Sequence, residues 1–290
     1  MDRVTRCAIT GASGYIGSHI TSHLADQGME IVELSRRAQP SYAHAQLVPF
    51  TLGDHLSPET LVGVDALVHC SYDFTVHTWD DIKRVNVDGS ARLLESAARA
   101  GVRTVVVIST ISAFAGCRSL YGRAKLLIEH ETVRHGGYVI RPGLVYDDSA
   151  PRGIVGSLAA VIRRSPFVPL IGNGEQVLYP CHVDDLAHLV RVLLATRPIV
   201  PAPIVAASRG GMTFREILMA MGRAQGKYVR FIPIPYTPVL AGLKLAEAIG
   251  MRSRLRSDSL ISLMNQDAHV DFSSLDATGL RFRGLMEAPS

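Results

Sequence analysis

A chain of 290 residues is long enough to bury a full core, as one large domain or as a domain with a smaller lobe. Hydrophobic residues make up 47% and charged residues 19%, which excludes a disordered chain. The net charge is only +4, and the basic residues read as scattered pairs such as Arg36-Arg37 and Arg163-Arg164, so no nucleic-acid partner is expected. Cys7, Cys70, Cys117 and Cys181 show neither a CxxC pair nor zinc-ligand spacing, so no metal is expected. Cys7 and Cys70 fall in strand-like runs, where free buried thiols are common, and point to a reducing compartment. The N-terminal residues carry no signal-peptide core, and no apolar run reaches ~18 residues, so the expectation is a cytoplasmic protein with no membrane partner.

In chain order, short apolar runs predict strands over 4–10, 30–35, 66–70, 104–109 and 138–141. Helical patterns lie between them at 15–27, 79–100 and 120–134, and Gly101 is placed to stop the second. This alternation predicts an α/β fold, a Rossmann-type doubly wound parallel sheet with helices on both faces. Beyond Gly143, Gly- and Pro-rich loops separate helices expected at 184–195, 213–225 and 238–249. They read as a smaller C-terminal substrate-binding lobe, giving a cofactor-binding domain over 1–145 and a lobe over 146–290 interleaved with the sheet.

Thr10-Gly11-Ala12-Ser13-Gly14-Tyr15-Ile16-Gly17 follows the first strand and opens the first helix. Gly11 permits a tight turn, Gly14 lets a pyrophosphate approach the helix N-terminus, and Gly17 allows close helix–strand packing. An NAD site would place an acid at the end of the second strand; here Ser35 is followed by Arg36 and Arg37. A carboxylate would repel a 2′-phosphate and a guanidinium pairs with it, so NADP(H) is favoured over NAD. The alternative is that Glu33, two residues earlier, serves as the acid. Asp54, after Gly53, is either an adenine contact or a simple turn residue.

Tyr121-Gly122-Arg123-Ala124-Lys125 places a phenol and an ammonium at i and i+4, on one helix face. Moving a Tyr pKa from about 10 to about 7 takes roughly 4 kcal/mol. One positive charge ~5 Å away, at an effective dielectric of ~20, supplies roughly 3 kcal/mol of it. The preceding strand ends in Ser109 and Thr110, two hydroxyls able to meet a substrate oxygen.

These motifs, taken in order, resemble the extended short-chain dehydrogenase/reductases of the NAD(P)-dependent epimerase/dehydratase group. The match takes in the glycine loop, Val85-Asn86-Val87-Asp88-Gly89, Ser109-Thr110, Tyr121 with Lys125, Arg141-Pro142-Gly143-Leu144-Val145-Tyr146, and Val183-Asp184-Asp185-Leu186-Ala187. The resemblance implies Tyr121 as general acid/base, Lys125 tuning it and holding the nicotinamide ribose, and Thr110 polarising the substrate. It also puts Asn86, Ser109, Pro142 and Leu144 near the cofactor, and Ser71, Tyr72, Asn86, Ile111 and Tyr146 near the substrate. His182 would order the C-terminal lobe. Phe114 departs from the family, which has a Tyr there, and His69-Cys70-Ser71-Tyr72 replaces a run of small residues.

The implied function is an NADP(H)-dependent oxidoreductase working on a carbonyl or alcohol, with a keto-sugar or nucleotide sugar as the expected substrate. The alternatives are a nucleotide-sugar 4-epimerase holding NAD tightly, which Arg36-Arg37 argues against, and a non-catalytic NADP(H) sensor, which has no use for Tyr121 and Lys125. A dehydratase is disfavoured because Ile111 and Ser112 stand where elimination needs an Asp-Glu pair. A homodimer is expected through the helices at 79–100 and 120–134, whose Leu93, Leu94, Ala97, Leu126, Leu127 and Ile128 exceed what one inward face needs.

Overall fold

The computed structural model describes residues 4–148, 152–249, 251, 256–267 and 269–285. Its strands, in chain order, are β1 (Arg6–Thr10), β2 (Glu30–Ser35), β3 (Gln46–Pro49), β4 (Ala66–His69), β5 (Thr104–Ile108), β6 (Tyr138–Pro142), β7 (Leu144–Tyr146), β8 (Phe167–Ile171), β9 (Val177–Leu178), β10 (Pro180–His182), β11 (Ile204–Ala206), β12 (Met212–Thr213) and β13 (Arg230–Ile234). The helices are α1 (Tyr15–Asp26), α2 (Trp79–Ile82), α3 (Asp88–Arg99), α4 (Leu120–Arg134), α5 (Gly153–Arg164), α6 (Val183–Thr196), α7 (Phe214–Ala224), α8 (Tyr236–Ala248), α9 (Ser257–Met264) and α10 (Ser273–Asp276).

Seven strands form one sheet in the order β11-β6-β5-β4-β1-β2-β3. Every pairing within it is parallel. Both faces are covered, so its strands are apolar throughout. On one face Cys7 and Ile9 of β1 pack with Ile20 and Leu24 of α1 and with Leu186, Leu189, Val190 and Leu193 of α6. On the other, Ala8, Val32 and Leu67 pack with Leu93, Leu94 and Ala97 of α3 and Ala124 and Ile128 of α4. The C-terminal half therefore gives the sheet both its edge strand β11 and one covering helix, α6. Its own core lies where Val155 and Ile162 of α5 meet Val168 and Leu170 of β8 and Ile217, Leu218 and Met221 of α7.

The helix expected over 79–100 is interrupted by a π-helical turn over Lys83–Val87, which turns Asn86 fully inward. Gly89 follows it because a Cβ there would stand 2.7 Å from the backbone nitrogen of Gly53. Little of the apolar surface of α3 and α4 is left for a second copy. Leu93, Leu94, Ala97 and Ile128 are buried in the chain's own core, leaving Leu126 half-buried and Leu127 exposed.

Candidate active site

The chain segments leaving β1, β4 and β5 meet at the C-terminal edge of the sheet, beside the crossover where open parallel sheets bind ligands. Gly11 has φ +69°, and a Cβ on it would lie 3.0 Å from the Ser71 amide nitrogen. At Gly17 a Cβ would lie 2.1 Å from the Gly11 carbonyl oxygen, so α1 can cross this close only with glycine there. Gly14 caps α1 with no side-chain hydrogen bond to its first turn. Those amides and the helix dipole are available to an anion. Ser13 is exposed on this loop, whereas Ile16 turns into the core beneath it.

Ser71 donates its amide to Thr10 Oγ1 at 3.2 Å, while its hydroxyl is buried with no partner among the described residues. The Tyr15 hydroxyl is likewise buried and unpartnered. A narrow glycine turn, uncapped amides and the orphaned Ser71 hydroxyl suit a dinucleotide.

At the end of β2 the two expected selectors separate. Glu33 is fully buried, and its carboxylate accepts the backbone amides of Ser41 at 2.7 Å and Tyr42 at 2.9 Å. Both of its oxygens are thus committed to the following loop. Ser35 accepts the Arg37 amide at 3.2 Å, and the Arg36 and Arg37 side chains are exposed, in no ion pair among the described residues. Asp54 is exposed at the end of a turn closed by its amide on Thr51 at 3.0 Å.

Tyr121 stands in the first turn of α4, half-buried, with a hydrogen bond between its phenol and the Thr110 hydroxyl. Loss of hydration pushes its pKa up to about 12, against that hydrogen bond. Lys125 is buried one turn on, its Nζ donating to the Ile108 carbonyl at 2.7 Å and lying 6.0 Å from the Tyr121 ring centre. Burial brings its own pKa down to about 8, with Cys70 and Glu129 opposing. Burial and the Thr110 hydrogen bond set the phenol's pKa, while the Lys125 ammonium is held on a strand carbonyl.

Beneath the pair, His69 bridges Thr10 Oγ1 at 2.7 Å and Ser90 Oγ at 2.8 Å. Burial, reinforced by the Lys125 charge, lowers its pKa to about 3, so it is neutral.

Several side chains expected to face ligand are engaged elsewhere. Ser109 donates its hydroxyl to Glu129, which in turn accepts two bonds from Arg141, at 2.9 and 2.6 Å. Asn86 accepts the Asp73 amide at 2.6 Å and donates to the Asp73 carbonyl at 3.1 Å, so it shapes the loop after β4 from inside. Tyr146 donates to the Gly284 carbonyl at 2.7 Å and packs edge-on against His182. Pro142 accepts the Ile111 amide at 2.9 Å, and Leu144 donates to the Tyr179 carbonyl at 2.7 Å, so both serve through the backbone. The side chain of Ile111 packs on the core.

At the mouth of the site the sequence pointed to Tyr72 and Tyr121 but not to Phe74 or the C-terminal segment. Tyr72 lies edge-on to Tyr121 with ring centres 4.9 Å apart, and Phe74, 58% exposed, packs against both rings. The C-terminal segment closes on this aromatic group. Arg256 donates to the Phe74 carbonyl at 3.1 Å, and the Asp258 carboxylate accepts the amides of Leu120 at 2.6 Å and Tyr121 at 3.1 Å. Asp258 thereby shares the capping of α4 with Ser119. The aromatic pair two residues apart was visible in the sequence, whereas the capping acid, 137 residues from Tyr121, gave no local signal.

Sheet order, glycine loop and Tyr/Lys pair define a dinucleotide-binding α/β protein of the extended short-chain dehydrogenase/reductase type. The chain belongs to the NAD-dependent epimerase/dehydratase family, whose model matches residues 7–204. It is 29% identical to a ceramide reductase of Caulobacter vibrioides over 93% of this chain and 86% of that protein. An uncharacterised protein of Mycobacterium tuberculosis is also 29% identical over 75% of this chain, which spans 23% of that longer protein. Among solved structures, MoeE5 in complex with UDP-glucose and NAD superposes with a TM-score of 0.68 at 19% identity, covering 89% of this chain and 96% of that one. At that identity the likeness speaks for the fold. Among the described residues no helix is long and apolar enough to cross a membrane, and no group of three or more His, Cys, Asp or Glu is placed to hold a metal.

Proposed function

We propose that the protein is an NADP(H)-dependent reductase of a carbonyl on an amphiphilic, long-chain substrate. The observation that carries the reaction type is the hydrogen-bonded Tyr121–Thr110 pair with Lys125 on the same helix, beside the glycine loop. The nicotinamide dinucleotide supplies the hydride. As negative charge grows on the substrate oxygen, Tyr121 gives it a proton and Thr110 donates a hydrogen bond to it. A phenol with a pKa of about 12 holds its proton at neutral pH, which suits the reductive direction. The buried Lys125 ammonium would stabilise the phenolate left behind and, with the cofactor bound, would hold its ribose.

NADP(H) is the proposed cofactor because Glu33 is occupied by backbone amides while Arg36 and Arg37 are open. The glycine loop with Ser13, the Ser71 hydroxyl, and the backbone at Ser35, Pro142 and Leu144 are the proposed cofactor contacts. Tyr72, Phe74 and Thr110 are the proposed substrate contacts. The aromatic mouth and the ceramide reductase relative support a lipid-like substrate. A keto-sugar or nucleotide sugar is the competing class. A cytoplasmic location rests on the four free cysteines. The proposed homodimer contact through α3 and α4 is reduced to exposed Leu127 and Val133.

The test is NADPH oxidation against long-chain keto-amides and keto-sugar nucleotides, by the unmodified protein and by Tyr121→Phe. The variant removes one oxygen and keeps the ring, so turnover should fall by about a hundredfold or more with NADPH affinity nearly unchanged. Full turnover in the variant refutes Tyr121 as the acid, and turnover confined to keto-sugar nucleotides refutes the lipid assignment.

A further inference from the structure

Helix α8 is apolar on two sides, yet none of its residues is buried. Tyr236, Val239, Leu243 and Ala246 are half-buried and recur at the spacing of one helix face, the side available for packing against α9. Ala241, Leu245, Ala248 and Ile249 recur as i, i+4, i+7 and i+8 and are all exposed, Leu245 and Ile249 at 66% each. An apolar stripe of this kind ordinarily faces a core. No residue of α8 belongs to any of the three hydrophobic cores. Met251, just beyond the helix, is exposed as well.

Charge gives the occupant. Between Gly226 and Arg256 the sequence has six basic residues, Lys227, Arg230, Lys244, Arg252, Arg254 and Arg256, against the single acid Glu247. That surplus of five exceeds the chain's total of +4, so everything outside this segment is slightly acidic. The net surplus of the chain is thus local to this segment, although 24 of the 30 basic residues lie outside it. Arg230 and Lys244 are exposed and form no ion pair among the described residues. Glu247 is engaged by the amide and hydroxyl of Ser257, at 2.8 and 2.6 Å.

We infer that α8 is an interfacial helix that docks the protein on an anionic lipid bilayer, with Leu245 and Ile249 entering the headgroup layer and Arg230 and Lys244 meeting the lipid phosphates. Two large side chains fall short of the ~800 Å² per partner that a stable protein interface buries. Insertion at a membrane surface accumulates residue by residue, aided by each nearby cation. A helix lying in the interface needs no long apolar run, so the absence of one does not bear on a membrane partner of this kind. Docking here has a consequence for the site. Glu247 at the end of α8 holds Ser257, and the adjacent Arg256 and Asp258 hold Phe74 and the start of α4, so the lipid surface would lie next to the aromatic mouth. The docking does not depend on the proposed reaction, and vesicle binding is read without turnover.

The experiment is flotation of the full chain with vesicles of phosphatidylcholine alone and of phosphatidylcholine with phosphatidylglycerol. Binding should be at least tenfold tighter to the anionic vesicles and should weaken with salt. Leu245→Glu with Ile249→Glu should reduce it at least tenfold, and Arg230→Glu with Lys244→Glu should abolish the preference for phosphatidylglycerol. Both double variants change exposed positions, and an unchanged melting temperature and NADPH affinity show that they fold. Tyr121→Phe should bind vesicles like the unmodified protein, which separates failure of docking from failure of catalysis. The proposal is overturned if anionic vesicles do not bind, or if Leu245→Glu with Ile249→Glu binds them equally well. It is also overturned if light scattering shows a dimer that this variant splits, since a second copy then covers the stripe.

Discussion

The two sides of the candidate site are built by different means. The cofactor side is made of backbone: a positive-φ glycine, a helix start without a side-chain cap, and contacts so close that a single methyl group collides. The proposed substrate side is made of side chains, with Tyr72 edge-on to Tyr121, Phe74 packed against both, and a segment 137 residues further along holding them. Backbone geometry leaves little room for variation, and side-chain surfaces tolerate a great deal. A family can therefore keep one cofactor chemistry while its substrates diverge.

The strongest way to sharpen that contrast is Gly17→Ala. Its Cβ would meet the Gly11 oxygen at 2.1 Å, so either α1 shifts or the loop opens. The expected result is about 1–3 kcal/mol lost in urea denaturation together with loss of measurable NADPH binding by titration. Phe74→Ala, on the other side, should leave NADPH binding unchanged and alter only substrate KM.

A second test asks whether the cofactor side contains any selectivity that resides in side chains. One charge-assisted contact from Arg36 or Arg37 to a 2′-phosphate contributes about 1.5–3 kcal/mol, a factor of ten or more. The unmodified protein should bind NADPH at least tenfold tighter than NADH by fluorescence titration. Replacing both arginines by Ala should erase the difference and spare NADH. Equal dissociation constants in the unmodified protein would break this reading of β2.

The smallest effect concerns the floor that both sides share. His69 stays neutral down to about pH 3 when folded, whereas an unfolded His takes a proton near pH 6.5. Between these values the unfolded state binds more protons, so stability rises with pH and is lost as pH falls. The loss from this one group is about 1.4 kcal/mol per pH unit at most. Denaturation at pH 6.5 and 5 should show a steeper dependence for the unmodified protein than for His69→Gln, and parallel slopes would show that His69 is charged when folded.

The same contrast explains what the sequence made legible. Strands over 30–35 and the helix over 120–134 are found as expected, because glycine turns and unbroken apolar runs are local signals. β11 was missed because three residues among prolines carry no period. The π-helical turn was missed because a residue inserted in a helix leaves the composition helical. Ser109, Asn86 and Tyr146 were matched by position, but position does not say which way a side chain turns: each bonds to a group of the chain itself.

The placement of β11 has a consequence for the birth of the protein on the ribosome. β6 ends at Pro142, and the strand that pairs with it begins at Ile204, after residues 143–203 have been made. At ~5–20 residues per second, those residues take roughly 3–12 s to synthesise. Throughout that interval the nascent sheet presents β6 as an open parallel edge, with Ile140 and Arg141 already in place to pair. Slowing translation within this stretch would prolong the exposure, so codon choice between the two strands should affect how much of the protein is recovered soluble.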